Sequence, residues 1–595
     1  MERFRPEIAN YLTRALNDLG SPSVTGTEIE NPPDRKLGDF AFPCFKFAKQ
    51  AKKSPAVFAT ELCERVLKIL PLERFSAAPV GPYVNFTIQK QTLIQAIFKD
   101  LLSENSAEPY GALPANTRAK WVFEFSSPNV AKPFQIYHLR TTIVGAALSR
   151  IAKLRGYQVT TINHLGDWGT QYGKLAVAFE RYKNDLPQDL SLNDLVQIYI
   201  KIHQDIEKEP ALESECQEAF RRLESGDPAM RAFWKRCIEI SLKEFKKVYE
   251  NFQVSFDFYW GESHYENQLK PLTQKLVEQN LLIEDQGAKI VRVVSRSGQE
   301  IPPCIIEKSD GASIYATRDL AAAIYRYDQF HFDRMSYVVG KEQMLHFEQV
   351  FGVLRAMEFK WEKDCEHIAT GLYRFKDSKM STRKGNFVTL EEVLHLCNEK
   401  ALRLMHERKS AQAQEDESIS NSTPLEDAEI LKIAEQVATG AIVFADLSTD
   451  PTRDLEFDVD RVISFEGETG PYLQYAHTRC KSILRKAELQ GFVHPERQAI
   501  EESSGLDTPE EIFLLKTLGK FPSTLERTLD QRKPSQLATY LIDLAHDFGT
   551  FYRERKVINP ESPALTRARL GLVECTRRVL ALGLDLLGIP KPEKM

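Results

Sequence analysis

Between residues 120 and 145 the chain reads KWVFEFSSPNVAKPFQIYHLRTTIVG, and its hydrophobic period changes from that of a strand to that of a helix across a short polar turn. WVFEF suits a buried strand, Ser-Pro-Asn stops it, and residues 139 to 155 have helical spacing. A strand that feeds straight into a helix commits this region to an α/β unit. YQVTTIN supplies a second strand, and a helix follows the GDWGTQYG turn. Alternation of this kind predicts a parallel, doubly wound sheet. The helix start also offers unpaired N–H groups and a partial positive charge, to which Lys132 and His138 add side-chain donors, so phosphate groups suit it. Taken alone, the turn is more often just an Asn-capped junction with a satisfied, half-buried histidine.

The rest of the chain sets this unit in a multidomain protein. At 595 residues it exceeds what one core holds, and about 150 residues per domain gives three or four domains. Residues 1–110 are expected to form a small α/β domain with helices at 5–18 and 54–69, a Gly38-Asp39-Phe40 segment and a strand at Tyr83 to Thr87, leaving through the polar linker SENSAEPYGALPANT. Residues 115–400 carry the doubly wound domain, interrupted over about 185–285 by charged amphipathic helices that look inserted. The sheet pattern resumes at IYATRDLAAAIYRY, SYVVG and HIATGLY. HERKSAQAQEDESISNSTP is the least hydrophobic stretch, so 401–425 is expected to be loop or linker, and 426–595 a helical bundle.

Composition narrows the class of protein. With 42% hydrophobic and 27% charged residues the chain is an ordinary globular protein, and no apolar run approaches a membrane span, so a cytosolic location is the default. The nine cysteines are scattered without a Cys-x-x-Cys pair, which argues against a zinc site and a disulfide framework. A formal net charge of −6 gives no overall attraction to nucleic acid, so any RNA contact must use local basic surface.

Walker A and GxGxxG loops are absent. A second candidate element is Lys379-Met380-Ser381-Thr382-Arg383-Lys384-Gly385, a cationic loop suited to closing over a triphosphate and stabilising departing pyrophosphate. As a lone charge run it would be a solvated loop. Aromatics interleaved with Arg and Lys in FEGETGPYLQYAHTRCKSILRK and FGTFYRERKV suit stacking on unpaired bases, although most such residues serve a bundle core.

The turn at 124–145 resembles the ATP-binding signature of class I aminoacyl-tRNA synthetases in its arginyl form, with Gln135, Ile136, Tyr137, His138 where the family has His, a small aliphatic, Gly, His. The loop from Lys379 resembles the family's KMSKS loop, with Thr382 in place of the second lysine, and the order and separation of the two elements match. Asn163 with the GDWGTQYG turn also matches, and the similarity runs over practically the whole chain, including an N-terminal tRNA-elbow domain and a C-terminal anticodon-binding domain.

The resemblance implies an arginine–tRNA ligase that uses ATP with Mg²⁺ and takes arginine and tRNA(Arg), as a cytoplasmic monomer without membrane contact or structural zinc. It implies that Lys132, His138, Lys379, Ser381, Arg383 and Lys384 act on the reacting phosphates, and that Pro128, Gln135, Tyr137, His138, Gly166 and Met380 line the ATP site. Glu124, Asn129, Tyr315, Asp319 and Gln343 would bind arginine. A guanidinium is always charged and is best met by carboxylates, which makes Glu124 and Asp319 its candidates, with Asn129 and Gln343 at the α-amino and carboxylate ends. Each acid has an ordinary alternative as a salt bridge or, for Asp319, a helix cap. Tyr83 and Asn85 in GPYVNF would read the tRNA D-loop, or the segment is an edge strand with an exposed Asn; Tyr552 would contact the anticodon. Gln135 and Tyr137 keep a second hypothesis open, an impaired synthetase-like protein that binds tRNA without ligating it. A small-molecule nucleotidyltransferase fails on length and on the flanking domains.

Overall fold

A computed structural model describes residues 3–17, 24–102, 108–309, 315–375, 389–415, 426–492 and 505–595. The first domain is built from α1 (Phe4–Asn17), β1 (Phe40–Pro43), α2 (Phe45–Gln50), α3 (Pro55–Leu67), β2 (Phe75–Val80), β3 (Tyr83–Ile88) and α4 (Lys90–Leu102). Ser54 starts α3, its hydroxyl accepting from the Val57 N–H, with Pro55 in the first turn where a missing N–H costs nothing. β3 lies between β1 and β2 and pairs antiparallel with both. This corrects the expected edge strand: Asn85 is 5% exposed, and its Nδ2 donates to the Leu37 carbonyl at 2.9 Å.

The central domain begins with β4 (Lys120–Glu124), α5 (Ile136–Leu154), β5 (Gln158–Asn163) and α6 (Gln171–Tyr182). Three helices follow, α7 (Leu192–Lys208), α8 (Ala211–Glu224) and α9 (Pro228–Asn251), before β6 (Phe258–Tyr259) rejoins the sheet. The sheet is thus re-entered inside the interval expected to be all insertion, because a two-residue strand leaves no periodic signal. After α10 (Glu266–Glu278), β7 (Ile283–Asp285), β8 (Ala288–Val294) and β9 (Glu300–Glu307) make a separate antiparallel sheet that the hydrophobic pattern did not reveal. Then come α11 (Tyr315–Phe330), β10 (Arg334–Gly340), α12 (Met344–Ala356), β11 (Cys365–Thr370) and β12 (Tyr373–Phe375).

The main sheet is parallel, in the order β11-β10-β4-β5-β6. β5 and β6 are laid down on one side of β4, whereas β10 and β11, which come later in the chain, occupy the other. The winding therefore reverses between β4 and β10, and the crevice beyond their carboxyl ends is where an open sheet of this type binds ligands.

The helical region runs through α13 (Leu390–Glu415), α14 (Asp427–Leu447), α15 (Val459–Val462), α16 (Gly470–Leu489), α17 (Pro509–Leu518), α18 (Phe521–Gln531), α19 (Ser535–Glu554) and α20 (Pro563–Leu587), with β13 (Leu455–Phe457) pairing parallel to β12. α13 overturns part of the loop expected over 401–425. Its Ala, Gln, Glu, Lys and Arg residues are strong helix formers, and Leu390, Val393, Cys397 and Ala401 are buried at helical spacing. Glu526 on α18 clamps this region to the central domain, meeting Arg118 at 2.8 Å and Arg155 at 2.6 Å, while Lys516 pairs with Asp39 of the first domain at 2.7 Å. Among the described residues no helix is long and apolar enough to cross a membrane.

Candidate active site

The β4–α5 turn sits at the point where the winding reverses, and its backbone is unusual. Ser126, Ser127 and Ala131 all have positive φ, at 77°, 51° and 59°, a region that residues other than glycine seldom occupy. The turn is zipped to the loop after β5: the Gly166 N–H donates to the Pro128 carbonyl and the Val130 N–H to the Gly166 carbonyl, both at 3.1 Å. A Cβ at Gly166 would lie 2.3 Å from Asn129 Oδ1, so only glycine allows this approach.

At the start of α5 the Gln135 N–H donates to His138 Nδ1 at 3.2 Å. Burial, with the Lys132 cation adding to it, pushes the imidazole down to about 3. His138 is therefore uncharged near neutrality, and with Nδ1 accepting, its proton sits on Nε2 as a hydrogen-bond donor. Lys132 is half-buried beside it. Tyr137 keeps a 38% exposed ring tilted against His138 at 4.2 Å, and Gln135 Oε1 is buried without a partner. Gln135 also bridges to Thr389, and the Leu390 N–H donates to the Phe134 carbonyl at 3.2 Å, so the start of α13 closes one side of the site.

The candidate arginine residues divide into two groups. Glu124, at the end of β4, is buried in an ion pair with Arg326 of α11, whose Nε donates to the Tyr265 hydroxyl at 3.0 Å. Burial disfavours the Arg326 charge, but Glu124 together with the Tyr265 and Tyr337 hydroxyls outweighs that and holds the guanidinium protonated. Asp319, one turn into α11, accepts from His346 Nε2 at 2.6 Å and lies 3.7 Å from His164 Nε2. Burial opposes its ionisation, yet the His346 hydrogen bond and the two histidines keep its carboxyl below the usual range. Tyr315 is 71% exposed at the start of α11, and Gln343 is exposed in the turn that follows β10.

One residue was missed in the sequence. Glu262 follows β6 and faces Arg318 at 3.9 Å; burial pushes its carboxyl up to about 8, Arg318 opposing this and the Asp319 and Asp167 carboxylates adding to it. Asp167 is itself raised by burial, although the Ser263 hydroxyl donates to it at 2.6 Å. The signal was positional: Glu262 stands just beyond the carboxyl end of a sheet strand, as Glu124 ends another. Lys379, Met380, Ser381, Arg383 and Lys384 lie outside the described residues.

Two faces bear the aromatic candidates for RNA contact. Tyr83 is half-buried, with Phe45 edge-on at 5.7 Å. Tyr552 is 41% exposed, the Arg479 guanidinium is 5.2 Å from its ring, and Arg479 Nη2 donates to the Tyr475 hydroxyl at 2.7 Å. Only Tyr552 of this trio was singled out by number, because the helical period alone did not bring α16 and α19 together.

Known families correspond to this architecture region by region. Residues 100–459 match the catalytic domain of class I tRNA synthetases (R), 473–595 the DALR anticodon binding domain, and 6–88 the arginyl tRNA synthetase N-terminal domain. The arginine–tRNA ligase of Clostridium perfringens is 41% identical over 569 residues, spanning 95% of this chain and 96% of that one. The chain belongs to the arginyl-tRNA synthetase family. A Clostridium botulinum arginine–tRNA ligase is likewise 41% identical over 95% of the chain. Among solved structures, Thermus thermophilus arginyl-tRNA synthetase superposes with a TM-score of 0.79 at 25% identity, covering 99% of this chain and 100% of that one. The Plasmodium falciparum enzyme shares the fold, with a TM-score of 0.76. Family membership over almost the full length gives no support to an impaired, tRNA-binding relative, and the departures at Gln135 and Tyr137 are accommodated within an intact α5 start.

Proposed function

We propose that the chain is an arginine–tRNA ligase whose two half-reactions share the crevice between β4 and β10. In the first, an arginine carboxylate oxygen attacks the α-phosphorus of Mg²⁺-bound ATP, the bond to the bridging oxygen breaks, and arginyl-adenylate and pyrophosphate form. In the second, a hydroxyl of the tRNA's terminal ribose attacks the arginyl carbonyl and AMP leaves. No covalent enzyme intermediate is needed; positioning and charge stabilisation supply the rate.

The observation that carries this proposal is the pairing of two unlike subsites at one crevice. On one side are Lys132 and the neutral His138, with its Nε2–H free of the Gln135 contact, at the N-terminal end of α5. Lys132 would supply charge to the phosphates and His138 a fixed donor, joined by Lys379, Ser381, Arg383 and Lys384, with Pro128, Gln135, Tyr137, Gly166 and Met380 about the nucleotide. On the other side Asp319 and Glu262 would face the substrate guanidinium, with Tyr315 beside them and Asn129 and Gln343 at the α-amino and carboxylate ends. Glu124, expected to meet the substrate, we assign instead to Arg326, with which it forms a buried ion pair. Tyr83 on the first domain and Tyr552 with Arg479 and Tyr475 on the bundle would stack on tRNA bases. Asn85 supports its loop from within. The enzyme would act as a cytoplasmic monomer.

Arginine-dependent ATP–pyrophosphate exchange by the purified chain, with and without tRNA(Arg), tests this. Exchange that requires arginine is expected; its absence in the presence of tRNA that binds would overturn the proposal.

A further inference from the structure

The left-handed backbone of the β4–α5 turn is held from below by a helix of the insertion. The four residues Cys237, Ser241, Phe245 and Tyr249 recur at every fourth position along α9 and are all buried, forming one stripe aimed at the turn. Two of them carry hydroxyls that reach it. Tyr249 OH lies 2.9 Å from Ser126 Oγ, and the Ala131 N–H donates to Ser241 Oγ at 2.9 Å. Both tie residues with positive φ. The Ser126 hydroxyl is also met by Thr142 Oγ1 of α5 at 2.8 Å, and Asn163 Nδ2 at the end of β5 donates to the Tyr249 hydroxyl at 2.8 Å. Phe245 and Tyr249 pack edge-on against Phe134, just ahead of Gln135. Ser241 is itself fixed, donating to the Cys237 carbonyl at 2.8 Å.

We propose that Tyr249 and Ser241 are positioning residues of the ligase reaction, their hydroxyls holding the turn in the form that presents Asn129, Lys132 and His138 to the substrates. The inference rests on the function proposed above. Unusual backbone persists only where its surroundings over-determine it. Here the surroundings are two hydroxyls brought from more than a hundred residues away in sequence by a helix that contributes no group to the chemistry. The insertion is then the floor of the active site as well as a surface feature. Tyr249→Phe removes one oxygen and leaves both the Ser126 hydroxyl and the Asn163 amide short of a partner in a buried network, and Ser241→Ala does the same to the Ala131 N–H.

The full-length protein with Tyr249→Phe, Ser241→Ala, Ser126→Ala and the Ser126→Ala/Tyr249→Phe pair should be assayed for arginine-dependent exchange, tRNA affinity and melting temperature. Tyr249→Phe and Ser241→Ala are each expected to lower kcat roughly tenfold, with KM for ATP and tRNA affinity changed little. The pair should lose less than the product of its two single losses, since the Ser126–Tyr249 link is shared while the Thr142 and Asn163 links are cut separately. A role in packing alone predicts a lower melting temperature with unchanged kcat for the folded protein, and that result overturns the inference, as does independent, multiplying loss in the pair. Wild-type protein without exchange overturns the ligase proposal, and this inference with it.

Discussion

Glu124 and Glu262 stand at the carboxyl ends of two strands of one sheet, β4 and β6, yet their surroundings make them chemically opposite. Glu124 has a guanidinium of its own, Arg326, locked against it and hydrogen-bonded to Tyr265. Glu262 is nearly as sheltered, but its nearest cation, Arg318, stands off at 3.9 Å while two carboxylates press on it, and its proton is retained up to about 8. A buried acid with a resident partner is part of the scaffold. One that is under-compensated beside Asp319 has room for a positive charge from outside, and on the function proposed above a substrate guanidinium would supply it.

The largest effect should come from breaking the satisfied pair. Arg326→Leu leaves Glu124 buried without a counter-charge and should cost about 3–5 kcal/mol of stability, read by denaturant unfolding, while Arg326→Met with Glu124→Met recovers most of it. If Glu124 instead served the substrate, the double change would fold and lose arginine recognition altogether. Next, Asp319→Asn removes the ionised carboxylate proposed to meet the guanidinium and should lower kcat/KM for arginine by about thirtyfold or more, roughly 2–3 kcal/mol, with kcat/KM for ATP at saturating arginine much less affected.

Glu262 gives a smaller effect with a defined pH signature. Its folded pKa lies above the ordinary carboxyl value, so the unfolded chain ionises first, and stability falls as pH rises from the unfolded pKa to about 8 and is level above it. Bound arginine favours the ionised form, so arginine affinity should rise with pH up to about 8 and then flatten; Glu262→Gln should abolish that slope. The smallest expected change is none at all. His138 is buried as Glu262 is, but burial drives a base downward, to about 3, so its ring resonances followed by NMR should not titrate between about pH 5 and 8. An inflection there would mean that burial is not what sets either group.

Much of this contrast could be seen in the sequence only by halves. The β4–α5 turn was legible because a strand period gives way to a helix period across Ser-Pro-Asn, a signal carried by neighbouring residues. Glu124 was legible as a strand-terminal acid, but not its partner, since Arg326 lies on the far end of a helix and meets it only after the sheet is wound. Glu262 was hidden because β6 is two residues long. Low hydropathy misled at α13, where charged residues are also helix formers, and Asn85 looked exposed because pairing on both sides of β3 is a tertiary fact. The support that α9 gives the turn likewise depends on contacts across the insertion, and local pattern carries no trace of them.

The most direct test of the contrast is proton release on arginine binding, measured by calorimetry at about pH 7 in buffers of different ionisation enthalpy, with tRNA present. A protonated Glu262 that gives up its proton to meet the guanidinium predicts release of close to one proton per arginine in the wild type and almost none in Glu262→Gln. Binding of arginine without proton release in the wild type, or equal release in both proteins, would contradict the assignment of Glu262 and Asp319 as the guanidinium site.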